Sequence, residues 1–286
     1  MMRPIRLAAL TAALCVCSTL VLAGQLRPYH EGWTPYQLSP SAWWSARDYT
    51  YRMTDDGGGL ISSWRGRIAG LAVTATTTAR GTWSNTAFPG GFPGITFDGA
   101  ANTYVATTLT TLPTGSAAGA IMMVAYSAIS SGATAIEYGG TQNGTAIDRK
   151  LALSSVGKSF ATDGATNTQV SNTALASGDG GHIIYGDWSG TSMNAYLDGT
   201  PNPSIPTTIA TLATGTARIR IGANNGGSAS GFWSGVISEV IILPTIPTTD
   251  QRQRLEAYFA WEYGLRSKLP LTNPYCNITR CYQPAR

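Results

Sequence analysis

The chain has 286 residues, of which 43% are hydrophobic and only 12% are charged. This apolar fraction is enough to build a core, which excludes a disordered chain. The length suits one large all-β domain or two small ones. The formal net charge is +4 and the basic residues are scattered along the chain, which argues against a nucleic-acid partner.

Residues 1–23 have the pattern of a secretory signal peptide. A short basic start precedes an apolar run over residues 7–22, and Ala23 precedes Gly24 at the expected cleavage position. The run is about 16 residues long, whereas roughly 20 are needed to span a bilayer, so cleavage is favoured over an uncleaved membrane anchor. We therefore expect a secreted or cell-surface protein without membrane contact after cleavage. The alternative is a virion protein whose apolar N-terminus is never exported.

Two of the four cysteines lie in the predicted signal peptide, which leaves Cys276 and Cys281 in a C-terminal tail of residues 267–286. In an exported protein this pair is expected to close a small disulfide loop. A metal site at the pair is not favoured, because no further Cys or His lies nearby in the sequence.

An extended lead-in is expected over residues 24–37, and a series of short strands separated by Gly-rich turns follows it. In chain order the predicted strands cover residues 39–44, 60–64, 95–99, 120–126, 135–138, 150–153, 182–185, 193–197, 218–222 and 235–243. The run 120–126 is apolar throughout, which predicts a central strand buried on both faces. Asp198-Gly199 predicts a tight hairpin turn, because both residues tolerate positive φ. The regular spacing predicts a sandwich or barrel.

Two segments give weaker local signals. Residues 88–94 are rich in Gly and Pro and predict a loop. In residues 218–222, Arg alternates with Ile, which predicts a strand with one face in water and the other in the core.

One amphipathic helix is predicted near the C-terminus. Thr248 and Gln251 match a capping box, in which each side chain satisfies a backbone N–H group of the first turn. Leu255 and Phe259 lie on the apolar face, and Gly264 is placed to end the helix in a left-handed conformation. We expect this helix to pack against the sandwich.

The order of these motifs resembles concanavalin A-like domains of the laminin G-like type, which occur in bacterial secreted proteins and in phage structural proteins. The segments that carry the resemblance are GVISEVIIL at 235–243, YFAWEYGL at 258–265, LSPSAWWSARD at 38–48, GITFDG at 94–99 and YLDG at 196–199. The resemblance covers residues 38–266. It implies an all-β fold, a two-sheet antiparallel jelly-roll sandwich, and a role in recognising carbohydrates or surfaces.

No catalytic pattern emerges from the sequence. Retaining glycan hydrolysis needs two carboxylates about 5 to 5.5 Å apart, and a catalytic strand would carry acids at alternate positions. Glu137 and Glu239 are each the only acid on their predicted strands. We therefore predict that the protein is not an enzyme.

Ligand and metal candidates come from predicted turns. The candidates for stacking on a sugar ring are Trp83, Trp188 and Trp233, and the amides of Asn224 and Asn225 are the candidates for binding its hydroxyls. For the Trp residues, burial at the edge of the sandwich is the alternative. Asp98 and Asp198, with the same two Asn residues, are the oxygen donors that a calcium ion would use. An ordinary role in a turn is the alternative for each.

The leading hypothesis is a non-catalytic exported binding or adhesion module that recognises a surface glycan or protein, with no required cofactor. A phage structural protein that packs on other virion subunits, as a capsid decoration, head fibre or tail part, is the second hypothesis. A glycan hydrolase is the third.

Overall fold

The computed structural model describes residues 33–68, 71–107, 111–128, 133–139, 149–153, 158–162, 168–174, 180–201, 207–208, 212, 214–216, 218–224 and 229–276. Antiparallel strands dominate these ranges. The strands are β1 Ala42–Ser45, β2 Met53–Asp55, β3 Ile61–Arg65, β4 Ala72–Thr74, β5 Thr82–Phe88, β6 Phe92–Asp98, β7 Tyr104–Ala106, β8 Gly119–Ser127, β9 Thr134–Tyr138, β10 Arg149–Leu153, β11 Lys158–Thr162, β12 Thr168–Ala174, β13 Gly181–Ser189, β14 Ser192–Leu197, β15 Thr200–Pro201, β16 Thr207–Thr208, β17 Ile219–Ile221 and β18 Ser234–Leu243. The α-helices are α1 Tyr49–Arg52 and α2 Thr249–Glu262, and short 3₁₀ turns cover Pro35–Leu38, Ala46–Asp48 and Arg266–Lys268.

The strands form two sheets. The first sheet has the order β15-β14-β13-β8-β18-β6-β5, with β1 paired to β18 and β16 paired to β14. The second sheet has the order β12-β11-β10-β9-β17-β7-β4-β3-β2. The predicted all-β, two-sheet antiparallel sandwich is therefore confirmed.

Strand β8 is buried on both faces, as its apolar run predicts. Ile121 and Met123 point into the core between the two sheets, whereas Met122 and Val124 belong to a second core on the outer side of the first sheet. Successive apolar side chains of a strand can point to opposite sides in this way only where both sides of the sheet are covered. The first sheet is thus the middle layer of the molecule.

The outer core is closed by helix α2. Its first turn carries the predicted capping box, with Gln251 N donating to Thr248 Oγ1 and Thr248 N donating to Gln251 Oε1. Leu255 and Phe259 are fully buried against the first sheet. Gly264 follows the helix with φ of 68°, the left-handed conformation that its position predicts.

A buried carboxylate joins α2 to the sheet. Glu239 of β18 is 0% exposed and accepts hydrogen bonds from Trp43 Nε1 at 2.5 Å, Ser45 Oγ at 3.2 Å, Tyr258 OH at 3.2 Å and Tyr263 OH at 2.6 Å. Burial raises the pKa of Glu239, while Arg67, Tyr263 and Trp43 oppose the shift. Because Tyr258 belongs to the helix and Tyr263 follows it, one carboxylate fixes the position of α2 on the sheet.

The segments on either side of the sandwich have structure and contacts that the sequence does not predict. The lead-in does not end as an extended segment: Pro35–Leu38 is a 3₁₀ turn, and the ring of Tyr36 lies 4.9 Å from that of Trp43. The beginning of the tail packs on α2, where Asn273 Nδ2 donates to Glu256 Oε2. The predicted signal peptide lies outside the described residues.

One local prediction needs correction. Residues 88–94 are not a loop, because β5 runs to Phe88 and β6 starts at Phe92. The intervening turn is tight because Gly90 and Gly91 both adopt positive φ.

No helix in the described part of the chain has the length and apolar character needed to cross a membrane.

Candidate ligand-binding face

The two sheets differ in what lies on their outer sides. Helix α2 packs on the first sheet, whereas no described helix packs over the middle of the second sheet. The strand registers place one residue from each of seven strands in a row across the outward side of the second sheet. From β10 to β2 these residues are Lys150, Glu137, Arg220, Val105, Thr74, Ser63 and Thr54. We call this row and its surroundings the outer face; at the usual strand spacing the row is about 28 Å long.

A cavity of about 430 Å³ lies over β4 and β7 on this face. Cavities of this size fall within the range typical of small-molecule sites. Four of the lining residues are threonines, and the others are small or aliphatic. The lining residues are Leu71, Ala72, Thr74, Ala75, Thr76, Thr103, Val105, Ala106 and Thr107. Val105 belongs to both the cavity and the row, so the cavity is continuous with the charged part of the face.

A charged group occupies the first three positions of the row, next to the cavity. Glu137 is 5% exposed and Arg220 is 7% exposed, although charged residues rarely reach such burial. Lys150 Nζ lies 3.7 Å from Glu137 Oε2, and Arg220 Nη1 donates to the carbonyl of Asn224 at 2.7 Å. These two contacts hold the group in place on the sheet.

Two atoms of this group lack hydrogen-bond partners among the described residues. They are Oε2 of Glu137 and Nε of Arg220, and both are buried. An unmet buried polar atom costs about 1–3 kcal/mol. One atom is an acceptor and the other a donor, and their residues face each other in the β9–β17 register. The pair is therefore suited to a ligand group that both donates and accepts.

The strand that carries Arg220 corrects one sequence prediction. Residues 218–222 were expected to have one face in water, and the isoleucines do point into the core. Arg218 and Arg220 are nevertheless each only 7% exposed. Strand β17 lies between β9 and β7 in the interior of the sheet, so neighbouring side chains on both sides cover the arginines.

One of the predicted ligand residues lies beside this group. Asn224 positions Arg220 through its carbonyl, but its amide is engaged elsewhere: Nδ2 donates to Ser230 Oγ and Oδ1 accepts from Ser230 N. Its side chain is thus bound to Ser230. Asn225 lies outside the described residues, so its predicted role stays a prediction.

Two predicted sugar-stacking residues are core residues. Trp188 is 0% exposed and Trp233 is 1% exposed, and both belong to the core between the sheets. A ring buried between two sheets offers no face to a sugar, so their assignment as ligand contacts is corrected. Burial, the alternative that the sequence left open, applies to both.

Trp83 lies away from the outer face, on strand β5 at the edge of the first sheet. One side of its ring stacks on Tyr49 at 3.7 Å with an interplanar angle of 6°. Its Nε1 donates to the carbonyl of Ala46 at 2.8 Å. The structure therefore does not bring Trp83 together with Asn224, and a ligand role for it stays a prediction.

The two predicted calcium ligands have protein partners. Asp98 Oδ1 accepts from the backbone N–H groups of Ala100, Ala101 and Asn102 at 2.9 to 3.1 Å. Burial would raise the pKa of Asp98, but these N–H groups hold it below its ordinary value. Asp198 contacts His182 Nδ1 at 2.6 Å and Ile183 N at 2.8 Å.

Both aspartates thus serve turns, and Asp198-Gly199 forms the predicted hairpin turn with φ of 50° and 75°. Within the described ranges, no three His, Cys, Asp or Glu side chains are grouped to hold a metal ion. A calcium ion stays a prediction. So does the disulfide, because Cys276 is buried and Cys281 lies outside the described residues.

The central residues of the outer face were not selected from the sequence. Glu137 was considered only as a lone acid, and Lys150 and Arg220 only as strand residues. The available signal is an acid on β9 together with Arg220 on β17 and Arg218 two residues before it. This signal indicates a site only once the strand order shows that these residues are neighbours.

No protein-family model and no curated protein matches the chain. Among solved structures, the chain is similar to a Trypanosoma rangeli sialidase in complex with a difluoro sugar derivative, with a TM-score of 0.53 at 12% identity over 75% of this chain and 32% of the sialidase. It is also similar to an arabinofuranosidase complexed with arabinofuranosyl-α-1,2-xylobiose, with a TM-score of 0.53 at 14% identity over 71% of this chain and 51% of that one.

The chain therefore spans about a third of the sialidase and about half of the arabinofuranosidase. At these identities the likeness shows the fold alone, which is that of a β-sandwich domain. The finer concanavalin A-like assignment is not confirmed and stays a prediction.

Proposed function

We propose that this protein is a non-catalytic glycan-binding module whose site is the outer face of the second sheet. The observation that carries the proposal is the pair of unmet buried atoms, Glu137 Oε2 and Arg220 Nε, beside the cavity. A sugar hydroxyl both donates and accepts hydrogen bonds. Neighbouring hydroxyls of one sugar ring can therefore satisfy the carboxylate and the guanidinium together.

The composition of the cavity supports the same ligand class. Small and aliphatic residues give the ring of a sugar an even surface, and threonine hydroxyls supply further polar contacts. The row extends about 28 Å across seven strands, which leaves room for several linked sugars rather than one. A flat, extended face of this kind suits a chain better than a compact metabolite.

The carboxylates of the row favour binding over hydrolysis. Glycosidic bond cleavage uses two carboxyl groups on either side of the bond. Glu137 is the one carboxylate among the seven residues of the row, and it faces two basic side chains. A single carboxylate beside Lys150 and Arg220 can bind hydroxyls but cannot act as an acid and a nucleophile in one reaction.

The sialidase and the arabinofuranosidase named above are each in complex with a sugar or a sugar derivative. Their low identities limit them to the fold, so they support the proposal only as examples of the sandwich in a carbohydrate context. Export to the cell surface or the medium, inferred from residues 1–23, is part of the same proposal. No observation in the described residues favours the virion role, which stays a prediction.

A glycan array with two tryptophan variants tests the proposal. Thr74 is exposed and lines the cavity, so Thr74→Trp fills the cavity without disturbing the core. Thr86→Trp is the matched control, because Thr86 is equally an exposed strand threonine but lies on β5 of the first sheet.

The wild type is expected to bind at least one glycan class, and Thr74→Trp is expected to weaken that binding about tenfold or more. Thr86→Trp should bind as the wild type does. Absence of wild-type binding to every glycan would overturn the proposal, as would equal binding by both variants.

A further inference from the structure

Basic side chains outnumber acidic ones at the centre of the outer face. Lys150, Arg220 and Glu137 are adjacent in the row. Arg218 precedes Arg220 by two residues, so alternation along the strand places it on the same side of the sheet, about 7 Å away. Three cations thus surround one carboxylate in the described part of this face.

The surroundings of Arg220 disfavour its positive charge. Burial lowers the pKa of Arg220, and the charge of Arg218 lowers it further, while Glu137 raises it. A buried cation next to another cation is stabilised by any added negative charge. The unmet Nε of Arg220 is the donor to which such a charge would bind.

We propose that the outer face recognises an acidic glycan, whose anionic group binds the guanidinium of Arg220 beside Arg218. This inference rests on the proposed glycan-binding function and specifies its ligand class. A carboxylate or sulfate on the sugar accepts charge-assisted hydrogen bonds, which are roughly twice as strong as neutral ones. Glu137 then binds the hydroxyls of the same or the next sugar.

Matched pairs of oligosaccharides that differ only in charge test the inference. The probes are oligogalacturonate and its carboxyl-reduced form, 3′-sialyllactose and lactose, and a sulfated galacto-oligosaccharide with its desulfated form. Affinities are measured by titration calorimetry. In at least one pair, the affinity for the acidic member is expected to exceed that for the neutral member by about tenfold or more. This preference should shrink as the ionic strength rises from about 0.05 M to about 0.5 M.

Three variants connect the preference to these residues. Arg220→Gln is expected to remove the preference for the acidic member. Lys150→Gln, whose side chain is 20% exposed, is expected to reduce it and remains informative if Arg220→Gln fails to fold, which circular dichroism will show. Arg254→Gln is the control, because Arg254 lies on α2 and pairs with Asp250.

A fourth variant separates this inference from the proposed function. Glu137→Gln removes the one negative charge, so it is expected to strengthen binding of the acidic member relative to the neutral one. Equal binding of both members of every pair, unchanged in Arg220→Gln, would overturn the acidic ligand class and leave glycan binding intact. If no member of any pair binds and the glycan array is also negative, the proposed function itself fails. Binding on the array of neutral glycans alone would overturn only the acidic class.

Discussion

The buried carboxylate of Glu239 leads to the largest stability effect that we predict. Glu239→Ala removes the acceptor of four hydrogen bonds, from Trp43, Ser45, Tyr258 and Tyr263. Each donor that is left buried without an acceptor costs about 1–3 kcal/mol. Rearrangement and entering water recover part of this sum, and loss of one partner of a buried ion pair costs about 3–5 kcal/mol in other proteins. We expect a loss of about 4–5 kcal/mol in the free energy of unfolding.

Urea unfolding followed by circular dichroism and tryptophan fluorescence measures this loss. Glu262→Ala is the matched control, because Glu262, whose side chain is 10% exposed, pairs with Arg47, whose side chain is 38% exposed; an ion pair that reaches solvent contributes about 0–1 kcal/mol. Glu239→Gln should fall between the two, since its amide nitrogen faces donors that need an acceptor. If Glu239→Ala costs no more than Glu262→Ala, the argument that this carboxylate anchors α2 is wrong.

Two further predictions concern helix α2. Thr248→Ala removes the hydroxyl that accepts from Gln251 N and should cost about 1 kcal/mol, whereas Thr248→Ser should unfold at nearly the wild-type urea concentration; equal losses in both would argue against capping. Burial raises the pKa of Glu256 to about 7, although Arg252 and Asn273 oppose the shift. A raised folded-state pKa stabilises the protein fully below about pH 4.3, the unfolded value, and this contribution is lost as the pH rises through about 7. Glu256→Gln should therefore flatten the dependence of unfolding free energy on pH between about 4.3 and 7, and an unchanged slope would contradict the assignment.

Elements with a strong local signal were predictable from the sequence. Strand β8 has an unbroken apolar run, the Asp198-Gly199 turn has two residues that accept positive φ, and helix α2 begins with a capping box. Each of these signals depends on residues within one turn or one strand. The all-β class followed from their number and spacing, because short strands between Gly-rich turns have few other ways to bury their apolar side chains.

The predictions for Trp188 and Trp233 failed because the direction of a side chain depends on layers that the sequence does not show. Trp188 lies on β13, where Tyr185 and Asp187 point to the helix side and Trp188 points between the sheets. Since α2 covers the outer side of the first sheet, β13 carries apolar residues on both of its sides. Hydrophobic alternation therefore could not distinguish a core tryptophan from one on the surface.

The sequence by itself determined that this chain is an all-β protein with a capped C-terminal helix, because strand alternation, turn residues and capping are local properties. Only the tertiary structure decided where a ligand could bind. Glu137, Lys150 and Arg220 are separated by up to 83 positions along the sequence, and the strand order β10-β9-β17 makes them neighbours. The tertiary structure also decided which sheet is covered: α2 packs on the first sheet through Glu239 and the outer core, and this leaves the charged row on the outer side of the second.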